Sequence, residues 1–599
     1  MFIYQPLKRV ALVAASLGLL GTQLMAPVQA ASFTIFHNND GESKLTPSAS
    51  GEGGAASFVT LINSLQQEAR DGGRIPVTIS SGDNFLAGTA FNASLQDGIF
   101  YDALVLNAIG YDAIVLGNHD FDFGPNVLAD FINAVDPTVP YLSANLDFSG
   151  EAQLQALVNT GRIAKSTIIE KDGERLGIVG ATTTLLSTVS SPRNVVVNEV
   201  LAAVQAEIDA LEAQGVNKII LASHLQSINE EISLVSQLRG VDLVIAGGGS
   251  ELLTNDIATT LPSDQGSTPF GPYPLLATNA DGVQVPVVTT TGEYRYVGRL
   301  EVEFDDNGLL TSFNGNPVRV LAGDANTTPD PDILANAVAP VQASQQALAQ
   351  NVIGQSEVGL NGVRSQVRTT ETNFGNLIAD SLLWTGQQKA GEFGIEAPVI
   401  ALHNGGGIRN DSVLSPGNIT ELNSFDALPF GNFVSVVPGI DGNKLKALLE
   451  NAVVRVEFVD GRFAQIAGFQ FGIDLTAEPG QRVVDVTLDD GTQIISNGQV
   501  LPGAPTISIA TIDFLARGGD SYPFGGVPFT NLGVTNQQSL ANYIQQELGG
   551  TITAARYPAG GSDRIFATTR SETETVPEPT ALLGLVALGA LGLRQRRSA

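Results

Sequence analysis

Apolar positions along residues 32 to about 320 follow two alternating patterns. Short runs rich in β-branched and aliphatic residues, such as 218–222 and 241–246, have the length and composition of buried strands. Between a similar run at 175–180 and the run at 218–222, residues 197–214 carry apolar side chains at helical spacing. Strands that alternate with helices in this way predict a layered α/β domain.

The pattern changes after residue 321. Residues 322–331 are rich in turn-forming residues, and an Ala- and Gln-rich helical pattern continues to residue 350, which is typical of an interdomain linker and helix. A second α/β pattern follows over 351–566, and a polar spacer covers 567–575. A chain of 599 residues is also too long for a single core, so at least two domains are expected.

Both ends of the chain have the composition of targeting segments. Residues 1–30 contain Lys8 and Arg9, then an apolar run, then small residues up to Ala30, the order typical of a cleaved secretory signal peptide. Residues 576–599 contain Pro-Glu-Pro, an apolar run at 580–593 and an arginine-rich end. That run is shorter than the roughly 20 residues of a permanent membrane span, although a plain C-terminal anchor is the alternative interpretation.

The C-terminal segment resembles the PEP-CTERM sorting signal. This resemblance implies an exosortase-type sorting machinery as a partner and a transient membrane contact through the tail. It also implies export to the periplasm, cell surface or extracellular matrix of a Gram-negative-type bacterium.

The net charge is −30, which makes nucleic acid an unlikely partner because backbone phosphates require a basic face. The acidic surface would also repel a phosphorylated substrate, so the binding site itself must supply positive charge through metals and arginines. The chain contains no cysteine, which excludes disulfides, cysteine-ligated zinc and thiol nucleophiles.

Four metal-capable side chains, Asp40, Asp83, Asn118 and His224, each come at the end of a strand-like run. In open α/β sheets, ligands and chemistry collect at the carboxyl ends of strands. Two divalent cations about 3.5–4 Å apart can share one bridging carboxylate, and Asp83 suits the bridge because it lies between Gly82 and an open loop. The pattern therefore predicts a metal centre, and hence hydrolysis.

A histidine and a carboxylate accompany these candidate ligands. His119 directly follows Asn118, and Asp122 lies three residues further on, where it can orient the imidazole. Such a pair can give a proton to a leaving alkoxide or stabilise charge on phosphoryl oxygens.

These motifs resemble the metallophosphoesterase superfamily, and specifically the secreted two-domain 5′-nucleotidases. The matching stretches are 36–40, 82–83, 117–124, 143–146 and 223–224. The resemblance implies a four-layer α/β/β/α metallophosphoesterase domain over 32–321 and a second α/β domain for substrate binding over 351–566. It implies metal ligation by Asp40, Asp83, Asn118 and His224, and catalysis by His119 and Asp122.

The chain departs from the family at three positions that carry histidine there. These positions hold Glu42, Gly248 and Ser250. Glu42 and Ser250 are candidate substitute ligands, with Glu251 as an alternative to Ser250. Two divalent ions from among Mn²⁺, Mg²⁺, Ca²⁺ and Zn²⁺ are expected, and oxygen-rich coordination favours the first three.

The second α/β segment carries candidate substrate-binding residues. Glycines near residue 407 let the backbone approach a ligand, arginine offers a fork for phosphate, and two phenylalanines in separate loops can sandwich a base. The family resemblance implies nucleotide binding by Arg368, Asn404, Gly407 and Arg409, base stacking by Phe430 and Phe514, and a ribose contact by Asp520.

Two interpretations of function follow. In the first, the centre works with Glu42 and water in place of histidines, and the protein is a 5′-nucleotidase that releases phosphate from extracellular nucleotides. In the second, the centre is degenerate and the protein binds nucleotides in the cell envelope without turnover. A phosphatase acting on UDP-sugars or cyclic nucleotides is a further alternative.

Overall fold

The computed structural model describes residues 31–570, which form two compact units. The first unit contains residues 31–353 and 419–432, and the second contains 354–418 and 433–570. The predicted signal peptide, the sorting tail and most of the spacer lie outside the described residues. Within 31–570, every helix is too short or too polar to cross a membrane.

The first unit is built on two sheets. The eight-stranded sheet has its middle strands parallel and antiparallel strands at one edge. Its strands in spatial order are Leu310–Gly315, Tyr296–Phe304, Ala31–Asn38, Ile75–Ser80, Ala113–Val115, Tyr141–Leu142 and Ile163–Ala164, with Val318–Arg319 paired to the second of these. The six-stranded sheet runs Leu275–Thr278, Gln284–Val288, Leu243–Ile245, Ile219–His224, Glu174–Thr182 and Ser166–Lys171, and only its two outer strands are antiparallel.

The two sheets pack face to face. Successive side chains of a strand point to opposite faces of its sheet, so each sheet can bury one face against the other. On the strand Ala31–Asn38, Phe33 and Ile35 enter a core shared with the six-stranded sheet, whereas Phe36 enters a core shared with helices. The helix Val200–Ala213 covers the far face of the six-stranded sheet through Val204 and Ile208. The order of layers is therefore α/β/β/α, which confirms the predicted fold class.

The remaining helices of the first unit surround these sheets. Their bounds are Ala55–Asp71, Thr89–Asp97, Tyr101–Ile109, Pro125–Ala134, Ala152–Asn159, Leu186–Val189, Ile228–Val235, Pro331–Ile333, Ala339–Gln350 and Glu421–Ala427. The helix predicted to end at residue 350 is present, and a wide turn at Leu334–Val338 joins its two parts.

The second unit also contains two principal sheets. One has the order Ala464–Ala467, Ile400–Asn404, Ile507–Ile512, Phe433–Ile440 and Thr530–Thr535, and the other has Gln499–Val500, Gln493–Ser496, Val483–Leu488, Phe469–Ile473 and Ile565–Ala567. The long helix Asn373–Phe393 buries Ala379 and Leu382 in the core with the first of these sheets.

Shorter helices and strands lie in the second unit and at its borders. The helices are Arg364–Val367, Gly442–Val453, Asp513–Ala516 and Asn536–Asn542, and the short strands are Val352–Ser356, Leu360–Asn361, Val413–Leu414, Gly417–Thr420 and Thr551–Ile552.

Candidate active site

The four predicted metal ligands come together at one edge of the first unit. Asp40, Asp83 and Asn118 follow neighbouring parallel strands of the eight-stranded sheet, and His224 is the last residue of its strand in the six-stranded sheet. Because the sheets pack face to face, the carboxyl ends of both sets of strands lie at the same edge.

The loops that carry the carboxylates are held in an unusual backbone conformation. Asp40, Glu42 and Asp83 have φ values of 50°, 50° and 53°, in the left-handed region that side chains other than glycine rarely adopt. Two backbone hydrogen bonds join the loops, from Asp40 N to Gly82 O and from Glu42 N to Asp83 O, both 3.0 Å. Such local strain is typical of functional sites, and here it brings carboxylates from two loops together.

His224 lies at the centre of the group. Its Nδ1 is 2.7 Å from Ser81 O and must carry a proton to make this bond. Its Nε2 is 2.9 Å from Asp83 Oδ2, 3.2 Å from Asn118 Oδ1 and 3.9 Å from Asp40 Oδ1. The oxygens of Asp83, Asn118 and Asp40 and the Nε2 of His224 thus converge. Their lone pairs need either a cation or a second proton on the ring between them, and this set of ligand atoms fits a divalent metal ion.

The same arrangement shifts the ionisation of these groups. Burial alone lowers the pKa of His224, but Asp83 and Asp40 outweigh burial and raise it to about 10. Burial raises the pKa of Asp83, but His224 and His119 reverse that effect and lower it overall. Burial is also the main reason that the pKa of Asp40 rises to about 6. A positive charge among the carboxylates is therefore strongly favoured.

Glu42 lies beside this group. Burial, followed by the charge of Asp40, raises the pKa of Glu42 to about 7, and His119 acts in the opposite direction. Its side chain lines a cavity of about 200 Å³ together with Thr89 and Gln345. This placement agrees with a role as a substitute ligand, which stays a prediction.

The loop at the other two altered positions approaches the centre through its backbone. Gly248 N donates to Asp40 Oδ2 over 3.0 Å, whereas Ser250 is exposed. Glu251 accepts from Ser227 Oγ at 3.2 Å and from Ile228 N at 3.1 Å, at the start of the helix Ile228–Val235. Both bonds use Oε1, and Glu251 Oε2 is buried without a hydrogen-bond partner, so ligation by Ser250 or by Glu251 stays a prediction.

The predicted dyad is formed. His119 Nδ1 is 2.8 Å from Asp122 Oδ2, and Asp122 Oδ1 accepts from Ser190 Oγ at 3.0 Å. Burial lowers the pKa of His119, but Asp122 and Asp83 outweigh it and raise the pKa to about 10. With Nδ1 committed to Asp122, Nε2 is the ring atom left for a substrate, and 19% of the side chain is exposed.

The dyad and the metal group share Asp83. Asp83 Oδ1 accepts from the backbone N of His119 at 2.7 Å, while Oδ2 faces His224. Asp120, in the same turn, accepts from Gly117 N at 2.8 Å and so serves to close the turn.

Two further residues support this site, and neither belongs to a motif that was predicted from the sequence. Ser190 holds Asp122 from 68 positions away in the chain, and Gln226 donates to Asn118 Oδ1 over 2.5 Å. The position of Gln226, two residues after His224, is the only hint that the sequence offers for either.

In the second unit, three predicted substrate-binding residues lie close together. Asn404 Nδ2 donates to Asp520 Oδ2 over 2.6 Å, and Asp520 has a φ of 51°. Burial, together with Arg364 and Arg409, lowers the pKa of Arg368 to about 10. Among the described residues, Asn404 Oδ1 and Arg368 Nε are buried without a hydrogen-bond partner, so both remain available to a ligand.

Three other predicted substrate-binding residues, Gly407, Phe514 and Phe430, lie in separate segments of the chain. Gly407 ends a short turn against His403, where a Cβ would approach His403 Cε1 to 2.5 Å, and Phe514 packs against Gly519. Phe430 belongs to the segment 419–432, which is part of the first unit. The pairing of Phe430 with Phe514 around a base therefore stays a prediction.

This α/β/β/α fold, with carboxylates and histidines at its strand ends, is typical of a metallophosphoesterase-type domain. Comparison with known proteins identifies the family more closely. Residues 352–525 match the family described as 5′-nucleotidase, C-terminal domain. The 5′-nucleotidase of Diplobatis ommata is 30% identical over 515 residues, which cover 83% of each chain.

Two other relatives agree. The crystal structure of the 5′-nucleotidase precursor from Thermus thermophilus superposes with a TM-score of 0.68 and 31% identity, covering 90% of this chain and 100% of that one. The trifunctional nucleotide phosphoesterase protein YfkN of Bacillus subtilis is 29% identical over 525 residues, and the match spans 32% of its length. The chain belongs to the 5′-nucleotidase family, which confirms the prediction of a phosphoesterase-type hydrolase.

Proposed function

We propose that the protein is a metal-dependent 5′-nucleotidase that hydrolyses nucleoside monophosphates to nucleoside and phosphate. The observation that carries this proposal is the convergence of Asp40, Asp83, Asn118 and His224 beside the His119–Asp122 dyad. A nucleotide-binding protein without turnover has no need for the dyad.

Asp40, Asp83, Asn118 and His224 would hold the metal, and Glu42 is proposed as an additional ligand from the neighbouring loop position. A divalent cation in such a site polarises phosphoryl oxygens and lowers the pKa of water. Because Asp83 faces both His224 and the backbone of His119, it keeps the dyad at a fixed distance from the ligand set.

His119 is the proton donor in this proposal. Burial lowers the pKa of His119, but Asp122 and Asp83 outweigh burial and raise the pKa overall, which favours the protonated ring. Asp122 accepts the Nδ1 proton and fixes the ring, so the Nε2 proton can pass to the nucleoside oxygen as the P–O bond breaks.

The second unit supports a nucleotide as the substrate. Arg368 and Arg409 supply positive charge in a chain whose net charge is −30, and Asn404 and Asp520 offer polar contacts for a ribose or base. Phe430 and Phe514 are proposed to stack on the base.

The altered positions favour a second candidate, a nucleotide-binding envelope protein with a degenerate centre. Glu42, Gly248 and Ser250 stand at the positions where the family resemblance implies histidines, so fewer imidazole ligands are available than that pattern implies. Activity toward UDP-sugars or cyclic nucleotides is the alternative within the hydrolase class. For both candidates, we propose export through residues 1–30 and sorting through the PEP-CTERM-like tail.

Product analysis separates these candidates. The full chain is stripped with a chelator and then incubated with AMP, UDP-glucose or cyclic AMP, before and after addition of Mn²⁺. Free phosphate is assayed for AMP, nucleoside monophosphates are assayed by chromatography for UDP-glucose and cyclic AMP, which contain no phosphomonoester, and nucleotide binding is followed by calorimetry. Mn²⁺-dependent release from AMP is expected. Binding of AMP without release under any metal would instead identify a non-catalytic binding protein.

A further inference from the structure

Gln226 contacts the candidate metal centre although no motif assigns it a role. Its Nε2 donates to Asn118 Oδ1 over 2.5 Å, and that oxygen lies 3.2 Å from His224 Nε2. The backbone of Gln226 has a φ of 101°, a conformation that favours glycine. The chain therefore carries a long polar side chain at a position where glycine would be less strained.

The neighbouring glycine loop packs closely against His224 and the backbone of Gln226. A Cβ on Gly248 would lie 2.9 Å from His224 Nε2 and 2.9 Å from Gln226 N, so this loop conformation admits no side chain at residue 248. Gly248 instead approaches Asp40 through its backbone N. The carboxamide of Gln226, two residues after His224, reaches Asn118 Oδ1.

The orientation of the Asn118 amide matters for cation binding. The terminal torsion of asparagine is broad and roughly two-fold, so hydrogen bonds decide whether Oδ1 or Nδ2 faces a neighbouring group. Only Oδ1 can ligate a cation. A donor placed on Oδ1 fixes that choice and leaves the second lone pair of the oxygen directed elsewhere.

We infer that Gln226 is a positioning residue of the metal centre, which holds Asn118 Oδ1 toward His224 and Asp83 by donating a hydrogen bond to it. This inference rests on the proposed function, because it assumes that a cation binds among these three residues.

Mn²⁺ binding to the chelator-stripped full chain tests this inference without any activity assay. The variant Gln226→Gly relieves the left-handed backbone and removes the donor. We expect an equal or higher melting temperature of the metal-free protein and a loss of about 10–100-fold in Mn²⁺ affinity, as for other residues that orient metal ligands. Gln226→Asn keeps an amide that is one methylene too short, and it should lose affinity similarly.

Two control variants frame the measurement, which uses calorimetry and the electron paramagnetic resonance spectrum of bound Mn²⁺. Asp172→Gly relieves a φ of 51° in an exposed turn of the same unit and should leave Mn²⁺ affinity unchanged. Asp83→Asn removes the carboxylate that is predicted to bridge the metals and reports the background of Mn²⁺ bound to the acidic surface.

The outcomes separate the inference from the proposed function. Wild-type affinity in both Gln226 variants would overturn the inference alone. A loss of affinity accompanied by a lower melting temperature of metal-free Gln226→Gly would also overturn it, because Gln226 would then have a general structural role. Binding by wild type no stronger than by Asp83→Asn would overturn both the inference and the metal-dependent function.

Discussion

Replacing Gly248 with alanine should damage the centre more than the same replacement at a comparable glycine elsewhere. Gly248 has a φ of 83°, and a Cβ there would lie 2.9 Å from His224 Nε2 and 3.0 Å from His224 Cδ2, whereas ordinary contacts are 3.4–4 Å. The left-handed backbone costs about 1–2 kcal/mol for a residue with a Cβ. Overpacking costs about 1–3 kcal/mol more, so the free energy of unfolding should fall by about 2–5 kcal/mol.

Gly161→Ala is the matched control. Gly161 has a φ of 78°, and no atom lies within 4 Å of a Cβ built on it, so this variant should show only the backbone cost. The first unit has more than 300 residues, so its unfolding entropy is about 0.7 kcal/mol/K and one kcal/mol shifts its melting temperature by about 1.4 °C. The overpacking cost of about 1–3 kcal/mol should therefore make Gly248→Ala melt about 1–4 °C below Gly161→Ala, measured on the transition of the first unit.

Metal binding gives a second comparison between these variants. Gly248→Ala should bind Mn²⁺ more weakly than wild type because the added methyl group displaces the His224 ring, and Gly161→Ala should bind it normally. For the same reason, Gly248→His should not restore a family-type centre in this loop conformation. Equal melting temperatures and equal Mn²⁺ affinities for the two alanine variants would refute the account of a loop closed tightly on His224.

Two further predictions concern the dyad and a buried acid. His119→Ala should lower kcat for AMP by about 10²–10⁴-fold without changing Mn²⁺ affinity, because the bond to Asp83 comes from the backbone of His119; phosphate release and calorimetry check this. Burial raises the pKa of Asp102 from 3.8 to about 7, so the folded protein keeps this proton while the unfolded chain loses it, and stability falls as pH rises from about 4 to 7. Asp102→Asn cannot ionise, so its free energy of unfolding should rise by about 3 kcal/mol relative to wild type between pH 5 and pH 8, from two pKa units at about 1.4 kcal/mol each. Urea denaturation at each pH measures this, and the same pH dependence of the unfolding free energy in both proteins would contradict the prediction.

The sequence was most informative where local pattern and topology coincide. Asp40, Asp83, Asn118 and His224 could be predicted because each follows a short apolar strand, and parallel strands in packed sheets place their carboxyl ends together. The dyad was equally local, since His119 and Asp122 lie in one turn.

Features that depend on distant contacts could not be predicted. Ser190 reaches Asp122 from a separate loop, and Gln226 meets Asn118 only because two sheets pack together. The closed conformation of the loop at Gly248 depends on the position of the His224 ring, which the sequence does not specify.

The membership of residues 419–432 in the first unit also could not be predicted from the sequence. This segment lies between strands of the second α/β pattern, yet its helix Glu421–Ala427 packs against Ala339–Gln350 and Thr89–Asp97 of the first unit. Its hydrophobic pattern does not specify which core it joins.

The most direct test of the central claim is phosphate release from AMP by the full chain, compared with Asp83→Asn, after chelation and after restoration of Mn²⁺. Asp83 connects His224 with the backbone of the catalytic dyad, so its loss should affect metal binding and proton donation together. We expect release by the wild-type protein only when Mn²⁺ is present, and none by Asp83→Asn under either condition. Release that persists without metal, or that survives in Asp83→Asn, would contradict a metal-dependent mechanism centred on Asp83.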